Sequence, residues 1–111
     1  MSLSVTERQE GNKTVLAIQG RLDGQNSEVF TQDVTRLIGE GRGSYVLDFS
    51  QVPYISSAGL RGILILAKEV RRSGGHLSIC SPVPMVLEVM NLARLSMVVP
   101  IHATLEEALA S

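Results

Sequence analysis

Two adjacent hydroxyls, Ser56 and Ser57, stand directly before a run of small and apolar residues, Ala58-Gly59-Leu60-Arg61-Gly62-Ile63-Leu64. Serine at the start of a helix can accept hydrogen bonds from free backbone N–H groups, a contribution of about 1 kcal/mol. Capping occupies one serine and leaves the other without a task. The first turn, Ala58 to Arg61, holds no carboxylate, although the helix dipole favours Asp or Glu there. A helix start with small residues and no acid is open to an anion. A phosphate on either hydroxyl would add about −1.5 to −2 charges without unfolding its own helix. The chemistry that suits this spacing is that of a phosphoacceptor, a residue acted upon rather than acting.

Other reactive side chains are present but do not assemble in the sequence. Ser57, Asp23 and His102 are the residue types of a hydrolytic triad, yet G-x-S-x-G is absent and His102 lies beyond Pro100. His76, His102 and Cys80 show no metal-ligand spacing. No G-x-x-x-x-G-K-[ST] phosphate loop occurs, and Gly39 to Gly43 reads as a helix-to-strand connector. Asp23 follows a strand and suits a turn, because Asp bonds its own backbone. Neither catalysis, nor a metal, nor a cofactor is expected.

Bulk properties narrow the partners. The chain has 111 residues, the length of one domain, 1–111. Its hydrophobic fraction of 44% and charged fraction of 19% are those of a folded globular chain. A net charge of −1 supplies no field for nucleic acid or anionic lipid. With no Trp, two Tyr and two Phe, there is little to build a base-stacking platform. A lone cysteine, Cys80, excludes an internal disulfide and reads as a small buried hydrophobe. Met1 to Glu10 lacks the apolar core of a signal peptide. The longest strongly apolar stretch, Ile63 to Ala67, is too short to cross a bilayer. The expectation is a cytoplasmic protein without membrane insertion.

The elements that must position the serines follow from periodicity. Alternation predicts a first strand near Leu3 to Gln9, and Glu10 to Lys13 reads as a turn. Thr14 to Gln19 is a second strand. Phe30, Val34, Leu37 and Ile38 share one face of a helix over about Ser27 to Gly39, capped by Asn26 or Ser27. Tyr45 to Phe49 is a compact strand. Leu60, Ile63, Leu64 and Ala67 mark a second helix over Ala58 to Arg72, ended by Gly74-Gly75. His76 to Ser81 is a strand, Pro82 and Pro84 open a third helix, Met97 to Ile101 reads as a short last strand, and Leu105, Ala108 and Leu109 form a final helix. This order implies an α/β fold, a mixed four- or five-stranded sheet with helices on one side. Phe30, Val34, Leu47, Leu60, Leu64, Ile79 and Leu87 are expected in the core, and so is Met90; Met85 and Met97 are left open as a soft binding patch.

Leu47-Asp48-Phe49-Ser50-Gln51-Val52-Pro53-Tyr54-Ile55-Ser56-Ser57-Ala58-Gly59-Leu60-Arg61-Gly62 resembles the signature of STAS domains of the anti-sigma-factor antagonist type. Leu16 to Asp23 followed by Phe30, and Gly74-Gly75 leading to Leu77-Ser78-Ile79, resemble the same family elsewhere, so the likeness runs along nearly the whole chain. The resemblance implies the STAS fold and a protein that binds an anti-sigma factor with serine kinase activity when unphosphorylated, releasing a sigma factor. Serine phosphorylation would switch it off, and a PP2C-type phosphatase would restore it. It makes Ser57 the first phosphorylation candidate and Ser56 the second. Asp23, Ser56, Ser57, Ala58, Gly59 and Arg61 would form the partner-binding surface, with Asp23 within hydrogen-bonding reach of Ser57. Where many relatives carry Asp before the hydroxyl, this chain has Ser56, and where some are phosphorylated it has Ala58. These departures leave room for a constitutive scaffold that is never phosphorylated, and the resemblance also admits a lipid-transport or transporter-associated STAS subunit that binds its partner through the face near the serine helix.

Overall fold

The structure is a computed structural model and describes residues 3–111. Strands β1 (Ser4–Glu10) and β2 (Lys13–Gln19) form an antiparallel hairpin, paired from Ser4↔Gln19 to Glu10↔Lys13. Gly11 sits in its turn at φ 66, a conformation that glycine adopts without the clash a side chain would bring. There follow α1 (Ser27–Ile38), β3 (Ser44–Gln51), α2 (Ser57–Arg72), β4 (His76–Cys80), α3 (Pro84–Leu92), β5 (Ile101–His102) and α4 (Leu105–Ala110). The strands lie in the order β1-β2-β3-β4-β5. From β2 onward every neighbouring pair is parallel. The expected parallel pairing of the third and fourth strands runs from Ser44↔His76 to Asp48↔Cys80. Parallel pairing sends the C-terminal ends of β2, β3 and β4 to one end of the sheet, and the loops into α1, α2 and α3 start there.

Alternation along the strands builds two apolar faces. Leu16, Ile18, Leu47, Phe49, Leu77 and Ile79 face the main core, which α1, α2 and α3 complete with Phe30, Val34, Ile63, Leu66, Val86 and Met90. Val15, Val46 and Cys80 point the other way, where α4 lays Ala108, Leu105 and Leu109 across them. Helices on one side only is therefore corrected: α4 covers the second face. The apolar positions on alternate residues of three central strands require a cover on both sides.

Three expected core residues are half-buried rather than buried, namely Leu60, Leu64 and Leu87. Leu60 and Leu64 pack on the margin of the core, while α2 buries Gly59, Gly62, Ile63, Leu66, Ala67 and Val70. The two glycines explain the offset. A Cβ on Gly62 would lie 2.9 Å from Thr31 Oγ1, and one on Gly59 2.9 Å from Leu22 Cγ. Helix α2 is rolled so that its smallest side chains meet α1 and the adjoining loop at close range, which turns the two leucines toward the edge.

The last strand also differs. Leu95–Met97 form a short 3-10 turn, preceded by Arg94 at φ 55, and strand pairing begins only at Ile101. Leu95 and Val99 are fully buried, so these apolar residues serve as plugs in the core rather than as rungs of a ladder. Pro100 has no N–H to give; its carbonyl accepts from Ile79 N–H at 2.9 Å. Met90 is fully buried, whereas Met85 and Met97 are 64% and 77% exposed and add nothing to the core.

Candidate functional site

The loops that follow β2 and β3 leave the sheet side by side. Leu22 N–H donates to the Tyr54 carbonyl at 3.0 Å, and Ser56 N–H donates to the Leu22 carbonyl at 2.9 Å. Leu22 and Ile55 form an isolated parallel bridge, and both side chains are buried. The chain thus extends the β2–β3 ladder by one rung beyond the sheet, and this rung sets where α2 begins. Gly59 closes the corner: a Cβ there would lie 3.0 Å from Ile55 Cγ1 and 3.1 Å from the Leu22 carbonyl oxygen.

The two serines have different surroundings. Ser56 is the N-cap of α2, and its Oγ accepts from Gly59 N–H at 3.1 Å. Ser57 is the first helical residue, one earlier than expected, and it is exposed. Its hydroxyl makes no hydrogen bond among the described residues. One hydroxyl is built into the helix start and the next points at solvent above an acid-free first turn.

Asp23 lies in the neighbouring loop, but it is not bonded to Ser57. Its carboxylate accepts from the backbone N–H groups of Gln25 at 2.9 Å and Asn26 at 3.2 Å. Asp23 N–H donates to Asn26 Oδ1 at 2.9 Å, and Asn26 Nδ2 donates to the Arg21 carbonyl at 2.6 Å. Asn26 occupies the N-cap position of α1 without capping it by its side chain. Both side chains are used to stiffen the loop that presents the Leu22 carbonyl, the task a short polar side chain performs most readily. The expected Asp23–Ser57 hydrogen bond is absent for that reason.

Two residues of the site carried no signal in the sequence. The Arg21 guanidinium lies 4.3 Å from the centre of the Tyr54 ring and ties the two loops together across their rims. Such a contact at an exposed place contributes about 0.5–1 kcal/mol. Nothing in local spacing could have revealed it, because the pair comes from different loops. Beside them, Ser27, Glu28, Thr31, Ala58, Arg61 and Ile65 line a shallow groove of about 230 Å³ between α1 and α2. Arg61 is exposed, and Ile65 is 48% exposed.

The three triad residue types are not brought together, and although Cys80 and His102 are register partners across β4 and β5, no group of three or more His, Cys, Asp or Glu among the described residues could hold a metal ion. His102 is on β5, with its Nε2 3.5 Å from Ser111 Oγ, and β4 separates it from the loop that carries Ser57. Cys80 is fully buried, and desolvation pushes its thiol up to about 11. A larger cleft of about 700 Å³ opens at the other end of the parallel strands, bordered by Lys13, Ser44, Arg71 and His76. Among the described residues, no helix is long and apolar enough to cross a membrane.

The family model of the STAS domain matches residues 4–108. The chain belongs to the STAS domain family. A Bordetella bronchiseptica protein named as a candidate anti-sigma factor antagonist, BtrV, is 32% identical over 97 residues, 87% of this chain and 84% of that one. A crystal structure of a candidate anti-sigma factor antagonist from Thermotoga maritima superposes with a TM-score of 0.85 at 26% identity, covering 96% of this chain and 92% of that one. The anti-sigma factor antagonist SpoIIAA in its unphosphorylated form matches with a TM-score of 0.74 at 21% identity, over 96% of this chain and 93% of that one, a likeness of fold alone. The five-stranded mixed sheet with its helices is the STAS fold, and the chain is a STAS domain similar to anti-sigma factor antagonists.

Proposed function

We propose that this chain is an anti-sigma factor antagonist switched at the Ser57 hydroxyl. The observation that carries the reading is the division of labour between the serines: Ser56 Oγ is engaged in capping, whereas Ser57 Oγ is exposed and unengaged. The name of the Bordetella relative supports the same partner class. In the unphosphorylated state, the surface around Asp23, Ser56, Ser57, Ala58, Gly59 and Arg61 binds an anti-sigma factor with serine kinase activity and frees its sigma factor. That kinase brings ATP, Mg²⁺ and the base that takes the hydroxyl proton. The γ-phosphoryl group passes to Ser57 Oγ and ADP leaves. The phosphate adds about −1.5 to −2 charges. Against an acidic or apolar partner surface such a charge loses hydration and repels carboxylates, so release needs no change of shape. A PP2C-type phosphatase returns the chain to its binding form, and the protein works in the cytoplasm.

The test is to incubate wild type, Ser57→Ala and Ser56→Ala with an anti-sigma-factor kinase of the same genome and ATP, and to locate phosphate by mass spectrometry. Phosphate on wild type and on Ser56→Ala, with none on Ser57→Ala, is the expected result. Ser57→Asp is expected to bind that kinase at least about tenfold more weakly, a loss of about 1.4 kcal/mol. If neither serine is modified and Ser57→Asp binds as wild type does, the switch is wrong. A constitutive scaffold would then be the better reading, favoured by Ser56 and Ala58 at the two positions where the phosphorylated motif differs.

A further inference from the structure

Arg61 stands one turn beyond Ser57 on α2. Residues four apart share a helix face, with Cβ atoms about 5–6 Å from each other. Both Ser57 and Arg61 are exposed. Long side chains on a helix lean toward its N-terminus, over the preceding turn, so the Arg61 stem is directed to the side of the helix where Ser57 lies. Arg61 also lines the α1–α2 groove next to Ala58, which places it beside that first turn. Its guanidinium makes no hydrogen bond and no salt bridge among the described residues, whereas Arg8, Arg36, Arg42 and Arg72 each pair with a carboxylate.

We propose that Arg61 is the intramolecular receptor for a phosphate on Ser57. This rests on Ser57 being the modified residue. An anion placed four residues before a cation is the favourable order on a helix, and the planar guanidinium matches two phosphate oxygens at once. Carboxylates of the adjoining elements do not pre-empt it. Glu28 of α1 borders the same groove without a salt bridge to Arg61, and the Asp23 carboxylate is held by the N–H groups of its own loop. A phosphate offers Arg61 up to two charges against one from Glu28. The modification therefore changes the surface twice: it adds an anion at residue 57 and withdraws a free cation at residue 61. A partner that meets Arg61 with a carboxylate loses that contact at the moment it meets the phosphate.

The experiment uses the full chain with phosphoserine installed at position 57 during synthesis, so that no kinase is needed. ³¹P NMR follows the phosphate from about pH 4 to about pH 8, through its second ionisation near 6, with Arg61 in place and in Arg61→Gln. The midpoint is expected about 0.5 unit lower with Arg61 in place, because a neighbouring cation favours the dianion. That difference should close in about 1 M salt, where the screening length is about 3 Å. The Arg61 Nε resonance should shift with the same midpoint. Equal midpoints at low salt, or an Nε resonance that ignores the titration, overturn the inference. The unmodified Arg61→Gln protein should unfold at the wild-type urea midpoint, as expected for an exposed position, which separates a lost pair from a lost fold. Failure of a kinase to modify Ser57 would refute the switch but leave this titration as it is.

Discussion

The two ends of the parallel sheet are built to opposite plans. The C-terminal end has two loops locked to each other by the Leu22–Ile55 bridge, the Ser56 cap and the Arg21–Tyr54 contact, and it offers only a shallow groove. The N-terminal end has the larger cleft, about 700 Å³ bordered by Lys13, Arg71 and His76. For the proposed switch, the larger cleft is not the end that matters. A small molecule needs depth so that its surface is buried. A hydroxyl that another protein must reach and read needs an exposed position on backbone that does not move. Under the proposed switch, the firmness of the serine end is the property that matters, and it comes from the backbone contacts of Leu22, Ser56 and Gly59 rather than from a cavity.

Each end contains a glycine packed close to backbone, Gly75 at one and Gly59 at the other, and substituting these two tests the contrast most severely. A Cβ on Gly75 would run into the backbone carbonyl oxygens of Gly41 and Gly43, which cannot give way as a side chain can. Gly75→Ala is expected to cost about 3 kcal/mol or more, the upper range for overpacking, measured by urea denaturation. Gly59→Ala meets the Leu22 side chain, which can shift, and the Leu22 carbonyl. It should cost about 1–3 kcal/mol and weaken partner binding further than its stability loss accounts for, since α2 would move off the loop. An equal or smaller loss for Gly75→Ala would show that the serine end is the more tightly packed of the two.

Within the serine end, the contrast narrows to neighbours. Ser56→Ala removes the bond to Gly59 N–H and should lower stability by about 1 kcal/mol. Ser57→Ala should change stability by less than about 0.5 kcal/mol while abolishing modification. Denaturant melts of the two variants read this directly, and an equal loss in both would contradict the assignment of the cap.

The smallest effect concerns Cys80, on the sheet face covered by α4. Its folded thiol is raised from 9.0 to about 11 by burial. The unfolded chain therefore ionises first, so the contribution of the neutral thiol to stability is complete below about 9 and is lost as pH rises through about 11. Alkylation by iodoacetamide at about pH 8 should be far slower than for a free thiol and should speed up in urea. Rapid labelling of the native protein would show that α4 does not keep the second face closed.

Much of the architecture was legible because periodicity survives in a single chain. The strands Thr14 to Gln19 and Tyr45 to Phe49, the helix faces through Phe30 and Val34, and the Gly-Gly stop after α2 all depend on neighbours within a few residues. The residues at Ser56 and Ser57 were legible for the same reason, as was the lone buried cysteine. The roll of α2 was not, because Gly59 and Gly62 are short of side chain and leave no mark in an apolar pattern; only the approach of Leu22 and Thr31 turns Leu60 and Leu64 outward. Met97 to Ile101 reads as a strand although pairing begins only at Ile101, because apolar residues look alike in a sequence whether they pair in a ladder or plug a core.

The sequence by itself determined the element order, the mixed sheet and the place where two hydroxyls meet a helix start, all local properties of composition and spacing. The tertiary structure alone decided which hydroxyl is the cap and which is exposed. That choice depends on where α2 begins, and α2 begins where the Leu22 carbonyl, delivered by a loop distant in sequence, holds the Ser56 N–H at 2.9 Å. It also decided that Asp23 turns to its own backbone rather than to Ser57, since its carboxylate accepts from two N–H groups of its own loop.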